Sequence, residues 1–259
     1  EDNGLGRFAH EDHEDEEVNE AFLTADFTDE MTHKISVMLQ QTKWPLAVRS
    51  SSLLEDSSHQ PFAGVYATYM LANDHPDPVV RLNRVLEAIK LVYASTYYRR
   101  AKAYVAATPS TIEDERMAVV IQDLVGDEVN GRFYPTISGA ARSRNHYPIE
   151  PLVAEDGIAA ICIGLGRQVS NGGKCLRYSP GQPRRIHQFH SNQATLDTSQ
   201  RNFFAIPMRQ EDGRVHAAEE DNLLNLGLAE AEEDGCLALV GSTYVVSDDR
   251  MVDSLAVDG

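Results

Sequence analysis

The stretch from residue 45 to residue 71 constrains the fold of this chain more than any other. Its apolar run 46–48 is typical of a buried strand, and Arg49 with three serines follows where we expect that strand to end. A second run, 62–71, is rich in aromatic, Thr and Val residues and contains no proline, which favours a second strand. The sequence therefore predicts two neighbouring strands joined by a polar connection.

These two strands carry groups that suit a phosphate ligand. The Arg49 guanidinium offers planar, bidentate donors that match phosphate oxygens, and the hydroxyl groups of 50–52 can complete the shell around an anion. Gly64 lies near the start of the second strand and lets a backbone or a ligand approach closely. We interpret the stretch as a wall that binds polyphosphate, although an arginine at a strand end and a serine-rich loop also occur without such a site.

A second signature is the continuous apolar run 117–125, which is typical of a buried strand. It contains one amide side chain, Gln122. The residues alone favour a core strand whose Gln122 merely meets solvent. The alternative is a binding surface, because recognition of a ligand needs apolar walls and a few placed polar groups such as this amide.

Other segments show clear local signals. Apolar residues recur at helical spacing over 27–41, with Thr28 as a cap, and over 79–107 as one long amphipathic helix. Asn-Gly between apolar positions within 128–134 predicts a hairpin. The segment 138–141 reads as a glycine-containing turn, which is either a mobile flap over phosphates or an ordinary hairpin tip.

A third signature is an apolar run that leads into Gly164-Leu165-Gly166, followed by Arg167. A Gly-x-Gly turn alone is a weak phosphate signal. Downstream lies a small basic patch in an otherwise acidic chain, which we interpret as a surface or interlobe pairing site rather than a catalytic one. Its members are Arg184, Arg185, His187 and His190.

Composition limits the classes of partner. The formal net charge of -17 argues against nucleic acid or an anionic membrane as the main partner, because both need a basic surface. Three cysteines without Cys-x-x-Cys spacing indicate neither a disulfide framework nor a zinc site, so we expect reduced thiols and a cytoplasmic location. No apolar run approaches the ~20 residues that span a bilayer. The acidic residues 1–20 predict a disordered tail.

The order Arg-Ser-Ser, Glu-Asp, Phe-Ala-Gly and Thr-Tyr, with the strand 117–125 and the Gly-Leu-Gly loop, resembles one family. This is the N-terminal nucleotide-binding domain of phosphoenolpyruvate synthase and pyruvate phosphate dikinase, which rifampicin phosphotransferase and the glucan water dikinases share. The resemblance covers most of 27–259 and implies an α+β, ATP-grasp-like fold with two lobes of mixed or antiparallel sheet and flanking helices. We expect the first lobe over 21–110 and the second over 111–259.

The resemblance also implies a reaction and its cofactors, ATP and Mg²⁺. Arg49 would hold polyphosphate oxygens as the catalytic residue, Gly64 and Thr68 would supply backbone and hydroxyl contacts, and Gln122 would lie near adenine. No residue of this chain is assigned to the metal. Relatives usually carry Glu after Gly-Leu-Gly, so Arg167 is a departure that puts the role of that acid in doubt.

In the full-length family, ATP phosphorylates a histidine on a separate domain, and another domain passes phosphate to pyruvate or a different acceptor. The phosphohistidine motif, the metal-binding Glu, the Gln-x-Arg-Pro motif and an N-terminal phosphate-binding lysine do not occur within residues 1–259. We therefore expect a fragment that lacks both ends of its site and is inactive alone. The alternative is a non-catalytic nucleotide-sensing or interaction module that retains the fold.

Overall fold

The structure is a computed structural model that describes residues 3–52, 64–107, 116–209 and 214–256. The chain forms two units: Glu1–Val125 with Ile206–Leu224, and Gly126–Ala205 with Asn225–Gly259. The lobe boundary predicted after residue 110 lies outside the described residues. The strand predicted over 117–125 lies in the first unit rather than with the residues that follow it, because it pairs with the Arg49 strand.

The first unit consists of one small sheet with helices. The sheet has the order β2-β1-β3, and both strand pairs are antiparallel. The elements are α1 (Gly6–His10), α2 (Asp15–Leu23), α3 (Asp29–Gln41), β1 (Leu46–Ser52), β2 (Thr68–Leu71), α4 (Pro78–Ser95), α5 (Arg99–Ala106) and β3 (Met117–Asp123).

Helices α3 and α4 cover one face of this sheet. Helix α3 begins as predicted at Thr28, whose side chain accepts a hydrogen bond from the amide of Met31. Helix α4 begins at Pro78, and the Asp77 carboxylate caps it by accepting from the Val79 amide at 2.8 Å. The apolar side chains of both helices meet those of the sheet in one core, which includes Ile35, Leu39, Leu46, Val48, Tyr69, Leu71, Val85, Leu91 and Val92.

Strand β1 is longer than the apolar run 46–48 predicts. It continues to Ser52, because β3 pairs with it over all seven residues, from Leu46–Asp123 to Ser52–Met117. The ladder of backbone hydrogen bonds overrides the modest strand preference of serine. Arg49 is therefore in the middle of a strand and not at its end. The second strand is shorter than predicted, and residues 53–63 lie outside the described residues.

The helix predicted over 79–107 is two helices. Helix α4 ends at Ser95, whose hydroxyl donates to the Val92 carbonyl at 2.7 Å and accepts from the Ala67 amide at 3.0 Å. Such side-chain bonds compete with the helical pattern. Tyr98 then takes an extended conformation and precedes α5.

The segment 1–20, predicted as a disordered tail, contains α1 and most of α2. Val18 of α2 is fully buried, and α2 packs against α4. Arg99 of α5 contacts this segment three times, through Nη1 to Glu14 at 2.7 Å, through Nε to Asp12 at 3.7 Å and through its amide to Asp15 at 2.9 Å. Apolar burial and these contacts offset the repulsion among the acidic residues, which the charge run alone does not reveal.

The second unit contains three small sheets, with the orders β10-β9-β5-β4, β6-β7-β8 and β11-β12. The chain passes from the second unit into the first within β9, and it returns to the second unit within β10. The elements are β4 (Asp127–Val129), β5 (Arg132–Tyr134), β6 (Ser138–Arg142), β7 (Ile158–Cys162), α6 (Arg167–Ser170), β8 (Leu176–Tyr178), α7 (Asn192–Thr198), β9 (Asn202–Pro207), β10 (Leu224–Gly227), α8 (Leu228–Glu233), β11 (Thr243–Val245) and β12 (Arg250–Val252).

The predicted hairpin is confirmed. Strands β4 and β5 pair in antiparallel fashion around Asn130 and Gly131, whose φ values of 52° and 75° belong to the left-handed region that this tight turn requires. The turn or flap predicted over 138–141 is instead part of strand β6, paired with β7. A Cβ on Gly139 would lie 2.2 Å from the Ala160 carbonyl oxygen, so the glycine serves close strand pairing.

Helices and antiparallel strand pairs together confirm an α+β class. Within the described ranges, no helix combines the length and the apolar character that crossing a membrane requires.

Candidate functional site

The sheet of the first unit has one face in the core and one open face. Val48 and Tyr69 point into the core, and side chains of a strand alternate between faces. Arg49 and Thr68 therefore point to the open face, where they are direct neighbours in the β1–β2 register. In β3, Ile121 packs against the core, so Gln122 reaches the same open face.

Arg49 is exposed and bonded to Gln122. Its Nε donates to Gln122 Oε1 at 3.2 Å, and its Nη1 contacts the Ser50 carbonyl at 3.4 Å. Among the residues that the structure describes, no carboxylate forms an ion pair with it. The remaining guanidinium donors thus face solvent and can meet an anion.

The surroundings of these polar groups are partly apolar. Buried Ala47 lies between Met70 of β2 and Gln122 of β3, and Val120 lies opposite Arg49. The face therefore combines an apolar floor with one cation, one amide and the hydroxyls of Thr68 and Ser51, which is the composition of a small-molecule surface. Ser50 and Ser52 were also predicted to help bind an anion, but alternation along the strand places their buried side chains on the core side instead.

Gly64 lies four residues before Thr68, in a turn with φ of +79°. A Cβ there would meet no atom of the described chain within 4 Å, so the glycine serves the left-handed backbone and not close packing. The structure thus brings together Arg49, Thr68 and Gln122. The role of Gly64 as a close contact for phosphate stays a prediction, and the preceding motif residues 53–63 lie outside the described residues.

Arg81 of α4 is a buried cation that stabilises the start of β1, and no local sequence pattern predicted it. Arg81 is only 5% exposed and donates to the Thr42 carbonyl at 2.9 Å and to Asn73 Oδ1 at 3.3 Å. Asn73 in turn donates to the Trp44 carbonyl at 3.0 Å. These bonds tie the loop before β1 to α4. They hold the strand in position beneath Arg49, and their partners are too far apart in sequence to form a motif.

Trp44 connects this loop to β3. Its indole Nε1 donates to the carbonyl of Leu124, two residues after Gln122, and the side chain is 46% exposed. Because Trp44 is the only tryptophan of the chain, its fluorescence reports on the end of β3.

The Gly-Leu-Gly turn of the second unit is closely packed. Gly164 has φ of +80°, and a Cβ there would lie 2.7 Å from the Phe204 carbonyl oxygen. That carbonyl accepts from the Leu165 amide at 2.9 Å, and Ser138 Oγ donates to the Gly164 carbonyl at 2.6 Å. Arg167 begins helix α6. The glycines of this signature therefore shape the fold between β7 and β9.

Comparison with known proteins identifies the family. Residues 6–233 match the family described as the pyruvate phosphate dikinase, AMP/ATP-binding domain. The chain belongs to this family. The resemblance found in the motifs is thereby confirmed. The match begins upstream of residue 27, where the resemblance was predicted to begin, and ends at residue 233 rather than near residue 259.

A distant relative also matches part of the chain. The chain is 27% identical over 179 residues to an uncharacterized phosphotransferase, YvkC, of Bacillus subtilis (strain 168). The alignment covers 66% of this chain and 19% of the relative, so the chain spans a small part of the length of that protein.

The open face does not supply ligands for the magnesium ion that the family resemblance implies. Its described donors are a guanidinium, an amide and hydroxyl groups, whereas Mg²⁺ prefers carboxylates, phosphates and water. No group of three or more His, Cys, Asp or Glu side chains suited to a metal occurs in the described ranges. The described residues of this face therefore do not fit a magnesium ion, and no reaction step is assigned to one.

Proposed function

We propose that the first unit binds ATP on its open sheet face, as part of an ATP-grasp-like domain of a phosphotransferase. Arg49 binds the polyphosphate oxygens, with Thr68 as a hydroxyl donor and Gly64 as a backbone contact. The observation that carries the proposal is the 3.2 Å hydrogen bond from Arg49 to Gln122. Two residues chosen from separate motifs, 73 positions apart, meet on one exposed surface.

The role of Gln122 follows from the same distance. Adenine and the terminal phosphates occupy opposite ends of ATP, so Gln122 cannot contact adenine while it holds an Arg49 that binds those phosphates. Contact with adenine, as predicted, requires this hydrogen bond to open. While this hydrogen bond is formed, Gln122 is a positioning residue that orients the Arg49 guanidinium. An anion site requires such orientation before the ligand binds.

The chemistry of such a site is positioning and charge neutralisation. Phosphoryl transfer spreads negative charge over oxygens, and a preorganised guanidinium stabilises that charge at no cost of reorganisation. We propose that Arg49 does this for the transferred group.

In the intact protein, we propose a reaction of the pyruvate, water dikinase type, with a histidine on a separate domain and pyruvate or another acceptor. The family match and the phosphotransferase relative support the class of reaction. Three buried, free cysteines support a reducing, cytoplasmic location, namely Cys162, Cys175 and Cys236.

Nucleotide binding to the chain tests the proposal. Calorimetric titration with ATP and AMP should show binding, and Trp44 fluorescence should change with the same midpoint. We expect Arg49→Ala to cost at least about 1 kcal/mol of ATP affinity, roughly fivefold, since a charge-assisted contact is lost. Arg184→Ala is the matched control, an exposed arginine of the second unit. Equal ATP affinity in wild type and Arg49→Ala would remove Arg49 from the site.

A further inference from the structure

The second unit contains a cavity that the proposed ATP site does not use. Its volume is about 450 Å³, within the usual range of small-molecule sites. All of its lining residues lie between Asn145 and Thr198, so it is formed by the second unit alone. Strand β8 forms one wall, and the loop before β7 forms another.

The charge of this cavity is opposite to that of the chain. Lys174, Arg177 and Arg185 line it against a single carboxylate, Asp197, whereas the whole chain carries a net charge of -17. Asp197 already accepts a hydrogen bond from Gln193 at 2.9 Å.

The three cationic side chains have no hydrogen bond or ion pair with any residue that the structure describes. Gathering like charges without counter-charges costs free energy, which a bound anion recovers. The excess of two positive charges suits a dianion better than a single carboxylate.

Part of the remaining lining of the cavity is apolar or aromatic, next to polar side chains such as Asn145, Ser179 and His187. Leu152 is buried and Ile158 half-buried, whereas Tyr147 and Ile149 are 89% and 60% exposed. Exposed tyrosine and isoleucine side chains next to a cavity supply contact area for a ring or an aliphatic group at low entropic cost.

One glutamine makes the basic wall rigid. The Gln188 side chain accepts from the Arg177 amide at 3.0 Å, and its Nε2 donates to the carbonyls of Cys175 and Thr198, each at 3.1 Å. It thus ties β8 to the end of α7. A cavity whose cationic strand is fixed in this way is formed before a ligand arrives.

We propose that this cavity is a binding site for a phosphate monoester that carries an aromatic or aliphatic group. Lys174, Arg177 and Arg185 bind the phosphate, and Tyr147, Ile149 and Leu152 contact the organic part. Its lining residues belong to the second unit, whereas Arg49 belongs to the first.

Phenyl phosphate tests the proposal, by calorimetry and by ¹⁵N–¹H spectra of the whole chain. We expect binding with shifts of amides around β8, and weaker binding of inorganic phosphate and of neutral benzyl alcohol. Arg185→Gln and Lys174→Gln, both at exposed positions, should each weaken binding of phenyl phosphate by about tenfold. Arg184→Gln, the adjacent arginine outside the lining, should leave it unchanged.

Several outcomes would overturn the site. One is the absence of binding at about 10 mM phenyl phosphate, a concentration on the order of ten times a 1 mM dissociation constant. Another is equal affinity of Arg185→Gln and Arg184→Gln for phenyl phosphate. Equal affinity for inorganic phosphate would remove the contact with the organic group. Arg49→Ala separates this site from the ATP site: we expect unchanged phenyl phosphate binding, and loss there would assign the ligand to the first unit instead. Thermal melting of each variant verifies folding.

Discussion

Asp234 is a buried carboxylate that receives its hydrogen bonds from one hairpin a hundred residues away. Tyr134 Oη and Asn130 Nδ2 donate to it at 2.7 Å each, and Arg132 Nη1 at 3.1 Å, while its side chain is fully shielded from solvent. Burial by itself raises the pKa of this carboxyl, but the three hydrogen bonds outweigh it and the pKa is lowered. The pKa of Tyr134 is raised, chiefly by burial. Through these hydrogen bonds, Asp234 joins the end of α8 to β5.

We expect Asp234→Asn to lower the free energy of unfolding at pH 7 by about 2 kcal/mol, the value of hydrogen bonds to a charged group. Because the folded pKa lies below that of the unfolded chain, about 3.9, this stabilisation is complete above that value and is lost as the pH falls through the folded pKa. Urea titrations from pH 7 to pH 3 measure it.

The control for Asp234 is Glu233→Gln, which removes an exposed partner of the same Arg132, at 3.2 Å. Exposed ion pairs contribute little, so its effect should stay below about 0.5 kcal/mol. A difference between wild type and Asp234→Asn that does not shrink in acid would contradict the assignment of the lowered pKa to this group.

Gln122→Ala distinguishes orientation of Arg49 from contact with adenine. If Gln122 orients the guanidinium, affinity for ATP and for inorganic tripolyphosphate should fall by the same factor, about threefold to tenfold for one hydrogen bond. Calorimetry on both ligands measures the two factors. A loss confined to ATP would instead support the adenine contact predicted from the sequence.

The sequence predicted the candidate residues of the open sheet face, but it did not predict several other contacts. Arg49, Thr68 and Gln122 follow from local motifs, and strand pairing brings them together. The Asp234 network and the Arg81–Asn73 hydrogen bond could not be predicted, since each joins residues that no local pattern relates. The cavity at Arg177 was not predicted, although Arg185 and His187 of its lining belong to the basic patch found in the sequence. Such a patch is typical of any surface until the fold shows that some of its side chains line a cavity.

Elements with strong local chemistry were predicted well. The Asn130-Gly131 hairpin and the Thr28 cap agree with the structure. Strand β3 forms over 117–123, but it is an edge strand without a buried residue rather than the buried strand that its apolar run predicts. The break between α4 and α5 was missed, because Ser95 is held by a bond to Ala67, outside its own helix. Strand β6 was predicted as a turn, either a flap or a hairpin tip, because glycine signals flexibility and close packing equally.

Gly164→Ala tests whether the Gly-Leu-Gly turn is a packing element. Gly164 and Gly235 have almost the same φ, +80° and +78°, but only Gly164 would place a Cβ against backbone, 2.7 Å from the Phe204 oxygen. We expect Gly235→Ala to cost about 1 kcal/mol for the backbone conformation, and Gly164→Ala at least about 2 kcal/mol more for the clash. Equal losses in chemical denaturation would refute the packing role.

The whole chain carries a large negative charge, and self-repulsion opposes its compact state. Raising NaCl from 10 to 150 mM shortens the screening length from about 30 to about 8 Å. We expect the melting temperature to rise by about 2–4 °C, which corresponds to roughly 1 kcal/mol. At pH 4.8, near the isoelectric point, the same addition should have little effect. A salt response that is equal at both pH values would contradict repulsion as the cause.

The first unit is completed by a late part of the chain. Val215 and Ala217 belong to its core, Tyr69 Oη donates to the Ala217 carbonyl at 2.7 Å, and the Val215 amide donates to Glu87 at 3.1 Å. On a ribosome, the first 125 residues therefore emerge without the piece that closes their interior. The open sheet face must wait for the whole intervening unit to be synthesised, so the Arg49 surface becomes native only after that unit has had the opportunity to fold.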